Sequence, residues 1–235
     1  MGSAGDDERA ALDGAQGAGS LPAVLTPEFA AARIALQLVD ARSLPTAPDV
    51  TFNYAPEWMP RVKKLLSIHL PSGIVLLNDA QVAALGPLEP WFELGALHTW
   101  RLTMADPVTH EVTASGTHWV EVALSTGGYL ASMALHLPHT IRFFHPSADL
   151  SHGVLFAIPF RHQFVYRIIT DRDSVESGLA MLPRFGNAGY VDGDGPISPQ
   201  TYLWHADVIT QVPTLPDGAV NLAPGSYLRG LLDQS

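Results

Sequence analysis

The chain has 235 residues, 47% hydrophobic and 15% charged, which is enough apolar material for a sizeable core and too little charge for disorder throughout. A formal net charge of −10 repels phosphate backbones and anionic lipid heads, so neither a nucleic-acid nor a membrane-surface role is expected. The absence of cysteine removes disulfides, thiolate metal sites and cysteine nucleophiles.

Residues 1–20, MGSAGDDERAALDGAQGAGS, are small, polar and acidic and read as a disordered tail. They have neither the basic start nor the apolar stretch of a secretory leader, and Asp6 breaks a myristoylation pattern. No apolar run approaches the ~20 residues that span a bilayer, so a cytoplasmic location is the expectation. Residues 21–72 form an N-terminal helical and strand segment. Thr26, Pro27 and Glu28 have the order of a helix start, and Phe29, Ile34, Leu36 and Val39 extend that helix along one face. SLPTAPD breaks the chain and VTFNY reads as a short strand. After Pro60, RVKKLLSIHL reads as a helix with Val62, Leu65, Leu66 and Leu70 inward.

Residues 73–212 read as an α+β domain. GIVLL is a short apolar run, a buried central strand with Ile74, Leu76 and Leu77 in the core. Asn78 or Asp79 then caps a short helix that Gly86 ends. EPWFELGALHTWRL is a second helix, and THEVTAS and THWVEVALS alternate as strands. GGYLASMALHL reads as a helix stopped by Pro138, and its two glycines as a turn. GVLFAIPF and QFVYRII are two strands joined across Arg161 and His162. A helix begins near Asp171 or Asp173, NAGYVDGDGPISPQ is a loop, and TYLWHADVI is a last short element. Residues 213–235 are a turn-rich tail until Tyr227. The order points to an α+β fold with a mixed or mainly antiparallel sheet and helices packed on it.

Residues 136–170 carry Arg142, Arg161 and Arg167 against Asp149 alone, with five histidines, a slightly basic island in an acidic chain. Four of those histidines, His136, His139, His145 and His152, fall close together. Pro138 separates the first pair, Pro146 follows His145 and Gly153 follows His152, so rigid presentation to one metal ion is not expected. Asp192 to Gly195 lacks the later oxygen ligands of a calcium loop and reads as a tight turn. No nucleophile elbow, paired-histidine zinc helix or glycine-rich phosphate loop is present.

From Gly73 to about Val212 the order of segments resembles the YtpQ-like family of uncharacterised bacterial proteins. LLNDAQVAALG, WFELGALHTWRL, GGYLASMALHLPHTI, GVLFAIPFRHQFVYRI, DSVESGLAML and YVDGDGPISPQTYLWHADVI carry the likeness. The resemblance implies an intracellular α+β domain and supplies no catalytic residues. Gly95, His98 and Trp100 stand where the family has charged residues.

Without catalytic or cofactor motifs, the leading expectation is a non-catalytic intracellular binding protein: a partner, chaperone-like or immunity-type module. The alternative is a small-molecule enzyme using histidines and arginines of 136–162 for acid–base chemistry and anion binding. Arg142, His145, His152, Arg161 and His162 are the candidate binding residues, for a protein partner or an anionic small molecule. No cofactor and no metal is expected, and the oligomeric state is left open. Since residues 1–20 offer nothing to bury, deleting them is expected to move the thermal midpoint by less than ~5 °C in a calorimetric scan.

Overall fold

A long apolar run with no clear period suits a buried strand as well as a helix, and two such runs decide the N-terminal half of this protein. The computed structural model describes residues 21–22, 24–47, 50–215 and 219–234. The proposed tail, residues 1–20, lies outside the described residues. The chain divides into two units, residues 1–37, 45–56 and 65–98 in the first, and 38–44, 57–64 and 99–235 in the second. Among the described residues six helices and two sheets make an α+β fold, and no helix there is long and apolar enough to cross a membrane.

Helix α1 (Pro27–Ala31) starts as its cap predicts, with Thr26 Oγ1 accepting from Phe29 N, but it stops after five residues. Strand β1 (Ile34–Asp40) then takes the place of a longer helix. RVKKLLSIHL is likewise no helix. β2 (Glu57–Met59) and β3 (Val62–Leu70) form a hairpin turned at Pro60 and Arg61. β3 has β1 on one side and both β2 and β4 (Gly73–Leu76) on the other, so it is the central strand of a four-stranded sheet. Its Leu65, Leu66 and Ile68 are fully buried, the adjacent pair Leu65 and Leu66 on opposite faces, as in a strand covered on both faces. VTFNY forms no strand.

Among the described residues β4 pairs only with β3, which makes it an edge strand. Ile74 and Leu76 are therefore only half-buried, and Leu77 alone of the expected trio is fully buried. Helix α2 (Asp79–Ala83) carries a capping box between Asn78 and Gln81. Its first residue also anchors the preceding loop, with Asp79 accepting from Thr51 Oγ1 at 2.6 Å, Asn53 N at 3.0 Å and Tyr54 N at 2.9 Å. Helix α3 (Glu89–Ala105) begins in this unit, where His98 Nδ1 lies 3.0 Å from the Ile34 carbonyl oxygen.

The second unit holds a six-stranded antiparallel sheet. Its strands are β5 (Thr109–Ser115), β6 (His118–Leu124), β7 (Val154–Ala157), β8 (Gln163–Ile168), β9 (Thr201–His205) and β10 (Val208–Gln211), in the spatial order β10-β9-β7-β8-β6-β5. TYLWHADVI is thus a hairpin. Register sorts the side chains into two faces, because directly opposed residues point the same way. Val112, Glu121, Tyr166, Phe156 and Tyr202 succeed one another across the sheet on one face. Val122, Val165 and Ala157 do so on the other. The second face packs on helix α5 (Arg172–Asp192) through Val175, Met181 and Leu182. The first packs on a 3-10 stretch (Leu130–His136) and helix α4 (Leu137–Phe144) through Leu130, Met133, Leu137 and Ile141.

Pro138 thus sits in the first turn of α4 instead of ending a helix, a position where its missing N–H has no partner to lose. Helix α5 runs past Pro183 to Asp192, into residues that read as loop. It comes very close to its neighbours. A Cβ on Gly178 would stand 2.7 Å from Leu155 Cδ1, and one on Gly186 would stand 2.5 Å from the Pro199 carbonyl oxygen. The last element is α6 (Tyr227–Leu232).

Asp40, 1% exposed, ends β1 in this unit and is held by several donors. Arg42 donates through N at 2.9 Å and Nη2 at 2.8 Å, Tyr190 through its hydroxyl at 2.6 Å, and Arg61 Nη2 stands 3.9 Å away. Burial pushes the carboxyl up, but the hydrogen bonds from Arg42 and Tyr190 outweigh it and bring the pKa to about 2. A depressed carboxylate stabilises the fold above its unfolded pKa, near 3.8, and that contribution is lost as pH falls toward 2. We expect wild type to lose ~2 kcal/mol more than Asp40→Asn between pH 5 and pH 2 in denaturant titrations.

Candidate functional site

The structure disperses the five residues singled out from sequence. Arg142 is exposed on α4, and His152 is exposed in the turn before β7, its carbonyl accepting from Tyr227 Oη at 3.1 Å. Arg161 and His162 sit together at the β7–β8 connection. Arg161 pairs with Asp194 and donates through Nε to His162 Nε2 at 3.0 Å. The other ring nitrogen, Nδ1, lies 3.1 Å from the Ser125 carbonyl oxygen and 3.2 Å from Gly128 N. Neither described cavity includes any of the five. The larger, about 860 Å³, lies along α5 and is lined by Leu179, Pro183, Arg184, Gln200, Leu215 and Val220 among others.

The four clustered histidines separate as well. His139 is exposed, while His136 is half-buried with no hydrogen-bond partner on Nε2. Burial pushes the His136 imidazole below its usual range, helped by the neighbouring His139 and Lys64. An ordinary pKa, the expectation for an exposed loop histidine, therefore does not hold at His136.

His145 is different. It comes directly after the last residue of α4, where its backbone N–H donates to the Ile141 carbonyl at 2.8 Å and its own carbonyl accepts from Ala148 N at 3.0 Å. Its ring points at the sheet. Nε2 lies 2.5 Å from Glu121 Oε2 and 2.9 Å from Tyr166 Oη. On β5, His110 brings its own Nε2 to 2.8 Å from the same carboxylate oxygen and 2.8 Å from the same hydroxyl. Tyr166 Oη in turn stands 3.2 Å from Glu121 Oε2.

Three adjacent strands and the end of a helix thus aim four polar groups at one point. Aromatic rings fix them there: Phe144 stacks on His110 with centroids 4.6 Å apart, and His110 lies within 8° of parallel to Tyr166. Burial differs sharply across the group. The Glu121 side chain is 4% exposed, whereas those of His110 and His145 keep 24% and 31% of their surface, so a dissolved molecule or ion reaches the two rings. Burial first, and the Glu121 charge second, pushes the Tyr166 hydroxyl far above its usual range and keeps it a neutral donor. Among the described residues, His110, Glu121 and His145 are also a set whose donor atoms lie within 4.8 Å of one another, close enough to share a metal ion.

His110, Glu121 and Tyr166 were not among the residues marked from sequence. A signal for two of them exists. THEVTAS and THWVEVALS flank Gly116, and a two-residue hairpin turn there fixes the register Ser115↔His118 and Val112↔Glu121. Glu121 then falls on the same face as His110, a carboxylate flanked by Val120 and Val122. No family model matches the chain, and neither a curated protein nor a solved structure does.

A shared acceptor couples the groups around it. Tyr166→Phe is expected to cost ~1–2 kcal/mol in urea denaturation. A double-mutant cycle with Glu121→Gln is expected to show a coupling above ~0.5 kcal/mol. Additive effects would mean that the hydroxyl and the carboxylate act separately.

Proposed function

We propose that this protein acts on a small, oxygen-bearing molecule at the centre formed by His110, Glu121, His145 and Tyr166. The observation that carries the reading is the convergence of two half-exposed imidazoles and a phenol on one buried carboxylate oxygen. A buried charge surrounded by positioned donors is costly to build, and such sets hold and polarise ligands in many enzymes. The reading keeps His145 from the residues suggested by sequence and adds three partners from the sheet. The YtpQ-like resemblance over 73–212 is part of the same proposal but contributes no residue to it.

The test uses the full chain and a small-molecule extract, with mass spectrometry as the readout. Wild type should deplete at least one compound, and His145→Ala or His110→Ala, each checked for a native thermal transition, should slow that depletion at least tenfold. Equal depletion by the variants would sink the reading.

A second reading, partner binding, has its own support. Val112, opposite Glu121 in register, is 61% exposed, and Phe143, edge-on to Phe144, is 52% exposed. Exposed apolar groups beside a polar centre suit a protein contact. A partner retained by wild type and by His145→Ala, but lost with Val112→Asp, would favour this reading over chemistry.

A further inference from the structure

We propose that His110, Glu121 and His145 bind one divalent transition-metal ion of the zinc class, with Tyr166 as its hydrogen-bonding neighbour. The inference rests on the reading that this centre is the working site, and it names the cofactor of that site.

Proton counting is the first argument. Five close contacts join the four groups: His110 to Glu121 at 2.8 Å, His145 to Glu121 at 2.5 Å, Tyr166 to the two rings at 2.8 and 2.9 Å, and Tyr166 to Glu121 at 3.2 Å. With Glu121 ionised, at most three protons serve them, one on each Nε2 and one on the phenol. At least two contacts therefore bring lone pairs together or share a hydrogen. A cation among the donor atoms removes that shortage, since each Nε2 then offers its lone pair to the ion and the phenol keeps its proton for the carboxylate.

The geometry is the second. Zinc takes nitrogen and oxygen at ~2.0–2.2 Å, which sets donor atoms about 3.3 Å apart in a tetrahedron. The two imidazole–carboxylate distances widen by less than about an ångström to reach that spacing, within side-chain adjustment. Two imidazoles and one carboxylate are a donor set borderline metals favour. The anchors are firm, with His110 and Glu121 on paired strands and His145 held by backbone hydrogen bonds at both its N–H and its carbonyl. Both rings keep part of their surface exposed, so the donor set is not sealed from solvent as a closed structural site is.

The test uses the untagged full chain, stripped with chelator and titrated with Zn²⁺ by calorimetry and with Co²⁺ by visible absorption. Wild type is expected to bind one ion per chain and to gain thermal stability on loading. His110→Ala and His145→Ala, both at partly exposed rings, should each weaken binding by more than about tenfold, while His136→Ala and His139→Ala should leave it unchanged. No saturable binding by wild type, or stoichiometric binding that survives both ring deletions, would falsify the proposal. Compound depletion by stripped protein that binds no ion would remove the metal and leave the small-molecule reading intact. An ion bound at these residues without depletion would support the metal and remove that reading.

Discussion

The six-stranded sheet of the second unit has to be covered on both faces, and most of that unit derives from the requirement. A strand with apolar residues at consecutive positions exposes one of them unless something packs on each side. Here α5 supplies one cover, and the 3-10 stretch with α4 supplies the other. The second cover is the shorter. It ends at Phe144 and His145, beside β6 and the outermost strand β5, where the burial pattern turns from apolar to exposed. The polar centre occupies that margin. Glu121 is deep enough to be shielded, and its histidine partners are close enough to the rim to be wetted.

That location explains the combination of groups. A carboxylate in the middle of the sheet would face Phe156 and Phe164 with nothing to bond it, a penalty of several kcal/mol. One strand further out, β5 carries no cover of its own and can present an imidazole. Tyr166 is the inner boundary, its ring in the apolar cluster and its hydroxyl on the carboxylate. Asp40 solves the same problem differently, with two arginines and a tyrosine around one buried carboxylate, and that arrangement is closed by its own charges.

Much of this was legible in the residues. The α+β class, the β5 and β6 strands, the β7–β8 pair and the starts of α1, α2 and α5 come from alternation and from Thr26, Asn78 or Asp79, and Asp171 or Asp173 as cap candidates. Ile34–Asp40 and Val62–Leu70 did not, because residues spaced three and four apart in an apolar run mark a helix face and also recur in a strand buried on both sides. Only the neighbours of β3 settle which applies, and they are not local. The centre escaped for a related reason. A search for ligands near His145 meets Asp149, which is exposed, with Ser151 N donating to its carboxylate, whereas the carboxylate that matters is Glu121, 24 positions away in the chain.

Helix α5 touches the sheet through Gly178 and the β9 approach through Gly186, where a single added carbon has no room. A helix seated on side chains can slide or roll by a residue and find new grooves. One seated on bare backbone cannot, since a shift by a residue carries a Cβ into Leu155 or the Pro199 carbonyl. Helix α5 is thus keyed to one rotation and one height against the four strands it contacts, β6, β7, β8 and β9. Those strands run from His118 to His205 at their widest, so one seat on the helix gives segments far apart in the chain a common reference.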